Sequence, residues 1–159
     1  MIQRIQTLYL TLVIVLSVTT LFFPLINMTI DITNLGQEAW FYFIYPKGKE
    51  NIFSLNFILL GLQVALVLIT LVTIFLYKRR ILQIRLVAFA SLICVFYFGY
   101  IFLFGADVAA KDIPVGLVLT GTSYGLAAYF PIAQIFLLYL AQKSIKKDEI
   151  LVRSSDRLR

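Results

Sequence analysis

Four long runs without a charged residue divide this chain, and polar segments separate them. The runs cover residues 5–30, 51–77, 86–106 and 113–142. A helix needs about 20 apolar residues to cross the hydrocarbon core of a bilayer, so each run is long enough for one span. The pattern predicts an all-α membrane protein, a four-transmembrane-helix bundle that forms one domain, with spans at about residues 5–26, 53–77, 84–105 and 117–142.

The first run could instead be a signal peptide, since Arg4 precedes its apolar segment. Cleavage of a signal peptide needs small residues in an A-x-A-like pattern after the apolar segment. Phe22, Phe23 and Pro24 occupy that place here. We therefore expect an uncleaved first helix that ends or kinks near Pro24, because proline removes a backbone donor.

The segment 27–52 predicts an extracytoplasmic loop with a small β-hairpin. Apolar and polar residues alternate over 28–33, which is the period of a strand, and residues 40–45 are mostly aromatic. The turn would lie at residues 34–36, which include a glycine. The aromatic residues either bind a partner or ligand, or lie at the membrane interface. Tyr and Trp are enriched at such interfaces, which favours the second interpretation.

A short basic turn joins the second and third runs and sets the orientation. Four of the 14 lysine and arginine residues lie in this turn, at positions 78, 79, 80 and 85. Four spans place both termini on the same side as the turn, and that side then carries 11 of the 14. Short cytoplasmic loops are enriched in Lys and Arg, so both termini and the turn are predicted to be cytoplasmic. This topology accounts for the net charge of +6, and no nucleic-acid partner is needed to explain it.

Small and polar residues inside the runs predict how the helices pack. Gly61 and Ala65 are four residues apart, so they share a helix face on which a second helix can approach closely. Gly121 and Gly125 have the same spacing, and they form either a helix-packing face or a flexible approach to the fourth helix. Gln63, deep in the second run, either hydrogen-bonds a neighbouring helix or lines a polar path, and the first role is favoured.

The composition excludes several kinds of catalytic and metal-binding site. The chain is 61% hydrophobic and 14% charged, whereas a soluble domain has about 25% charged residues. It has no histidine and one cysteine, Cys94, which removes haem ligation by His, the usual zinc sites, a histidine base and dithiol exchange. Charged residues inside spans usually mark ion or proton paths, and the four runs have none. We expect no enzyme activity, no metal and no cofactor.

The tail, residues 143–159, predicts a short amphipathic helix on the cytoplasmic membrane surface. Basic and acidic residues are mixed in it, which favours contact with a protein over attraction to lipid alone; the alternative is that its charges only fix topology and touch anionic lipid. The predicted cytoplasmic docking surface comprises Arg4, Lys78, Arg79, Arg80, Arg85, Arg153, Asp156, Arg157 and Arg159.

Both ends of the chain resemble a known family. The opening MIQRIQTLY (1–9), the basic turn and the closing KKDEILVRSSDRLR (146–159) are similar to a bacterial family of small four-helix inner-membrane proteins, found in the Bacteroidetes group and named only as a domain of unknown function (4293). The resemblance implies four spans in a bacterial inner membrane. It implies no activity, substrate or site residue.

These observations favour a non-catalytic accessory or assembly subunit. Its partners would be membrane lipid and either another membrane protein or further copies of the chain. The alternative is a transporter, channel or lipid-binding protein for a neutral or lipidic ligand, with a kink at Pro131 in the fourth helix. The residues that would line its path are Gln63, Tyr97, Tyr100, Tyr124 and Gln134.

Overall fold

The computed structural model describes residues 3–31, 37–41, 57–77, 79–111 and 118–156. Within these residues the chain forms four α-helices, three β-strands and one 3-10 turn. In chain order they are α1 (Gln3–Thr20), β1 (Ile26–Asp31), β2 (Gln37–Phe41), α2 (Phe57–Phe75), α3 (Arg80–Lys111), β3 (Val118–Tyr124), the 3-10 turn (Leu126–Tyr129) and α4 (Phe130–Asp156).

The helices form a ring in which each packs against its two neighbours: α1 contacts α2 and α4, and α3 contacts α2 and α4. The buried positions recur every three or four residues, which places them on one face of each helix. On α3 they are Val87, Ala90, Cys94, Tyr97 and Ile101. The expected helical bundle is therefore present.

Three of the helices are long and apolar enough to cross a membrane: Ile58–Phe75, Arg80–Asp107 and Leu126–Val152. The apolar part of α1 is shorter, Ile5–Thr20. The first span was predicted to reach residue 26, but α1 ends at Thr20 and the chain enters β1 at Ile26. Pro24 explains part of this, because the residue before a proline is disfavoured in the helical conformation.

The strands form one antiparallel sheet in the order β2-β1-β3. The pairing of β1 with β2 confirms the predicted hairpin; the predicted turn at 34–36 and the aromatic residues 42–45 lie outside the described residues. The third strand was not predicted. It pairs with β1 along its length, and the register shifts between Thr29 and Ile30, so Thr120 is an extra residue on β3, as in a β-bulge.

Two helices are longer than predicted. Helix α3 continues to Lys111, past the predicted end of the third span at about residue 105. Helix α4 continues to Asp156, so the tail does not form a separate surface helix. Both extensions consist largely of good helix formers and contain no Gly or Pro. A loop or a new helix there would need a break that the sequence does not supply.

The predicted kink at Pro131 is wrong for a related reason. Residues 118–124 are a strand, so α4 begins only at Phe130, and Pro131 lies in its first turn. Proline is well tolerated there because the first backbone N–H groups of a helix have no intrahelical partner.

The predicted helix-packing role of Gly121 and Gly125 is also wrong, since Gly121 lies in β3 and Gly125 follows it. Gly125 instead permits a close approach to the segment before β1. Its amide donates to the carbonyl of Leu25 (2.8 Å), and a Cβ at Gly125 would lie 2.2 Å from the carbonyl oxygen of Pro24. A side chain there would displace backbone, so this position requires glycine.

Candidate functional site

One end of the bundle brings together the start of α1, the turn between α2 and α3, and the last third of α4. We call it the basic end and define it by Gln6, Arg80 and Asp148. The Gln6 side-chain amide donates to the carboxylate of Asp148, and Nη1 of Arg80 donates to the Asp148 carbonyl (3.0 Å). Three segments that are far apart in sequence therefore meet at one residue of α4.

Asp148 is buried, with only 7% of its surface exposed. One carboxylate oxygen accepts from Gln6, and the other, Oδ1, has no hydrogen-bond partner among the described residues. In the sequence, Asp148 is one of several charged residues in the tail. Its position three residues after the buried Ile145 is the signal that could have placed it on the core face of α4.

Gln83 fixes the turn between α2 and α3. Its Nε2 donates to the carbonyl of Thr73 (2.9 Å). Thr73 lies in the last turn of α2, where backbone carbonyls lack intrahelical donors. A side chain of α3 thus caps the helix before it and holds the two helices in register.

A cavity of about 280 Å³ opens at the basic end. Two apolar residues, Leu10 of α1 and Ile74 of α2, form part of its wall. The rest of the lining is polar and consists of Gln6, Thr7, Tyr77, Arg80 and Gln83.

The predicted docking residues are distributed unevenly over the basic end. Arg79 and Arg85 are exposed, whereas Arg80 is half-buried and lines the cavity. The backbones of Arg4, Arg153 and Asp156 lie in α1 and α4. Lys78, Arg157 and Arg159 lie outside the described residues.

The end of α4 extends past the packed part of the bundle. About eight residues follow Asp148 in this helix, or roughly 12 Å at 1.5 Å per residue. Three consecutive apolar side chains there, Ile150, Leu151 and Val152, are exposed, Ile150 by 67%. Lys146 and Lys147 are exposed just before them. The tail was predicted to be a separate helix on the membrane surface, whereas these side chains lie at the end of α4.

A second polar cluster, which we call the inner polar layer, consists of Ser17, Gln63, Cys94 and Gln134, one residue from each helix. Gln63 Nε2 donates to the Ser17 carbonyl (3.0 Å), and Gln134 Nε2 donates to Ser17 Oγ (3.1 Å). Cys94 Sγ contacts Gln134 Oε1 at 3.4 Å. This confirms the prediction that Gln63 bonds a neighbouring helix.

An apolar cluster separates the inner polar layer from the basic end. Its buried members include Leu10 and Val13 of α1, Leu66 of α2, Val87 of α3 and Leu138 of α4. The side chains predicted to line a path lie beyond this cluster. Tyr97 is buried, and Tyr100 and Tyr124 are half-buried.

The hydroxyl group of a buried tyrosine usually has a hydrogen-bond partner, and Tyr97 departs from this rule. The ring is fully buried, but its OH has no partner among the described residues. By contrast, the hydroxyl of Tyr124 donates to the carbonyl of Phe102 (3.3 Å). The Tyr97 hydroxyl group therefore carries a desolvation cost that no bond offsets.

The other predicted close-packing pair, Gly61 and Ala65, lies in α2. Gly61 is exposed, and a Cβ built on it would meet nothing within 4 Å. Ala65 is half-buried. No helix of the described chain approaches Gly61 closely.

Within the described residues, no three His, Cys, Asp or Glu side chains lie together where they could hold a metal ion.

Comparison with known proteins identifies the family. The family whose description reads Domain of unknown function (DUF4293) matches residues 2–158. The chain belongs to this family. No curated protein and no solved structure matches the chain. The match spans the basic turn and both of the terminal segments that resemble the family. The description of DUF4293 names no activity.

Proposed function

We propose that this DUF4293 protein is an integral membrane protein whose four helices all cross the bilayer. The supporting observation is the apolar outer surface of the bundle. Large hydrophobic side chains on three helices point outward: Phe75 is 72% exposed, Leu103 72% and Phe136 60%. Soluble monomers rarely expose contiguous apolar surface on this scale, whereas lipid tails solvate it.

Helix α1 is included among the spans despite its length. Its apolar part, Ile5–Thr20, extends roughly 24 Å at 1.5 Å per residue, about 6 Å less than the ~30 Å hydrocarbon thickness. The exposed Phe22 and Phe23 continue the apolar surface beyond its end. A small mismatch of this kind is accommodated by local thinning of the bilayer at modest cost.

The basic end faces the cytoplasm in this proposal, and the membrane is the bacterial inner membrane that the family resemblance implies. The start of α1, the α2–α3 turn and the end of α4 share one end of the bundle. That end carries the Lys and Arg excess that marks cytoplasmic loops. The three-stranded sheet then lies on the outer side.

At its cytoplasmic face the protein binds another membrane protein and acts as a non-catalytic accessory or assembly subunit. The observation that carries this proposal is the projecting end of α4, where Ile150, Leu151 and Val152 are exposed beside Lys146 and Lys147. An apolar patch with a basic rim fits a partner surface that is apolar at its centre and acidic around it. Arg79 and Arg85, exposed at the same end, extend the basic rim.

The test is co-purification in a gentle detergent, comparing the full chain with the triple variant Ile150→Ser, Leu151→Ser and Val152→Ser. Truncation after Gln142 is less suitable because it removes the buried Ile145 and Asp148. Ser154→Ala is the matched control, since its exposed hydroxyl donates to the Leu151 carbonyl within its own helix.

The expected result is a stoichiometric membrane-protein partner that remains with the full chain and the control and is lost from the triple variant, while the melting temperatures of all three agree. Full retention of the partner by the triple variant, or purification of all three forms without a partner, would contradict the proposal.

A further inference from the structure

The cavity at the basic end is of a size that holds a small polar group. At about 280 Å³ it is far larger than the roughly 10–15 Å³ that one water needs. It is slightly smaller than the ~300 Å³ at which pockets for drug-sized ligands begin. Its occupant is therefore a compact group.

The chemistry of the lining favours an anion. Among the described residues, Arg80 is the one formally charged residue that lines the cavity, and the other four polar lining residues are glutamine, threonine and tyrosine side chains, which are types that can donate hydrogen bonds. A guanidinium has five N–H donors in a planar fork that matches phosphate oxygens. The bond from Nη1 to the Asp148 carbonyl holds this fork at the cavity wall.

The buried carboxylate of Asp148 does not reverse this preference. Asp148 does not line the cavity, whereas Gln6 does, and the Gln6 amide donates to the carboxylate. Outside the cavity the surroundings are basic on balance, since Arg79, Arg85, Lys146 and Lys147 are exposed at the same end, against the half-buried Glu149. Such a field raises the local concentration of anions.

We propose that this cavity binds a phosphate group through Arg80. The phosphate belongs either to a lipid headgroup or to free inorganic phosphate. The apolar wall formed by Leu10 and Ile74 accommodates the first atoms of a glycerol backbone in the lipid case. This inference is independent of partner docking, which involves the exposed end of α4.

The test measures the melting temperature of the full chain in a neutral, phosphate-free detergent. The probes are sodium phosphate, with sodium chloride at matched ionic strength, and short-chain phosphatidylglycerol, with a maltoside of equal chain length. Arg80→Gln removes the proposed anchor. Lys143→Gln, which changes an exposed basic residue of α4 outside the cavity, is the matched control.

We expect a saturable rise in melting temperature, with affinity reduced at least tenfold in Arg80→Gln and within twofold of wild type in Lys143→Gln. A rise with phosphatidylglycerol alone assigns the site to a lipid headgroup, and a rise with both probes shows that phosphate suffices. No rise beyond the chloride and maltoside controls, or an equal loss in both variants, overturns the proposal.

Two further variants keep the test decisive if Arg80→Gln does not fold, since Arg80 also joins α3 to α4. Ile74→Phe fills the cavity and leaves the Arg80 contact with Asp148 in place; it should lower phosphate affinity at least tenfold. Arg80→Lys keeps the charge without the planar fork and should bind more weakly than wild type. Wild-type affinity in Ile74→Phe would show that phosphate binds elsewhere.

Discussion

Two glutamine side chains act as caps for neighbouring helices. Gln63 donates to the carbonyl of Ser17 near the end of α1, and Gln83 donates to the carbonyl of Thr73 near the end of α2. Backbone carbonyls in the last turn of a helix have no intrahelical donor, and in an apolar surrounding an unpaired one costs several kcal/mol, roughly. These contacts therefore explain why glutamine occurs on otherwise apolar faces.

The bonding role of Gln63 was predictable, but its acceptor was not. A polar side chain deep in an uncharged run predicts a bond to another helix. The identity of the acceptor depends on where α1 ends, and the length of the apolar run misplaces that end by several residues. Gln6 and Asp148 escaped prediction because their pairing joins the two ends of the chain, which no local pattern records.

The Tyr97 hydroxyl group yields a prediction at the residue scale. It is buried and has no partner in the part of the chain that the structure describes, so Tyr97→Phe should leave the free energy of unfolding unchanged or raise it by about 1 kcal/mol, because the ring stays and an uncompensated polar group is removed. Tyr124→Phe removes the bond to the Phe102 carbonyl and should lower the free energy of unfolding by about 1 kcal/mol. Reversible unfolding of both variants in mixed detergent micelles measures the difference. A larger loss in Tyr97→Phe than in Tyr124→Phe would show that the Tyr97 hydroxyl is bonded.

At the scale of elements, the helices were easier to predict than their bounds. Long uncharged runs predict the number and order of the helices, since a membrane helix is apolar both on its buried face and on the side that contacts lipid. The ends of the helices depend on helix-breaking residues and on the pairing of strands. Residues 107–111 lie beyond the predicted third span, because Asp107 and Lys111 are charged, yet they contain no Gly or Pro and continue α3.

Strand β3 shows the limit of local patterns most clearly. Its partner β1 lies about ninety residues earlier in the chain, and only that pairing turns residues 118–124 into a strand. Without the pairing, the same residues are compatible with the start of an apolar helix. The close approach at Gly125, directly after this stretch, involves Pro24, another distant segment.

The contact between α1 and α4 gives a prediction at the element scale. Gln134 Nε2 donates to Ser17 Oγ inside the bundle, and interhelical bonds of this kind contribute about 0.6 to 1.7 kcal/mol in membrane proteins. A double-mutant cycle with Ser17→Ala and Gln134→Leu should return a coupling in that range. The control cycle pairs Ser17→Ala with Gln83→Leu, whose bond lies at the basic end; it should be additive within about 0.5 kcal/mol. Equal coupling in both cycles would argue against a specific Ser17–Gln134 bond.

At the scale of the whole molecule, the bundle has two chemically different ends. The basic end brings Gln6, Arg80 and Asp148 together beside a polar cavity, which Gln6 and Arg80 line, and the other end carries the sheet. Between them the outer surface is apolar. The composition alone predicted an apolar body of this kind, and the charge bias predicted which segments share an end; the cavity follows only from the side-chain contacts.

The central claim is that this body crosses a membrane with the basic end in the cytoplasm. Its most direct test is labelling by a membrane-impermeant maleimide of single-cysteine variants, made with the buried Cys94 changed to Ala. Lys146→Cys reports on the basic end and Thr122→Cys on the sheet; both positions are exposed. Each variant is labelled in right-side-out and in inside-out membrane vesicles.

With the basic end in the cytoplasm, we expect Thr122→Cys to react only in right-side-out vesicles and Lys146→Cys only in inside-out vesicles. Reaction of both variants from the same side, or the reverse pattern, would contradict the proposed topology. Release of the protein from the vesicles by carbonate washing would contradict membrane insertion itself.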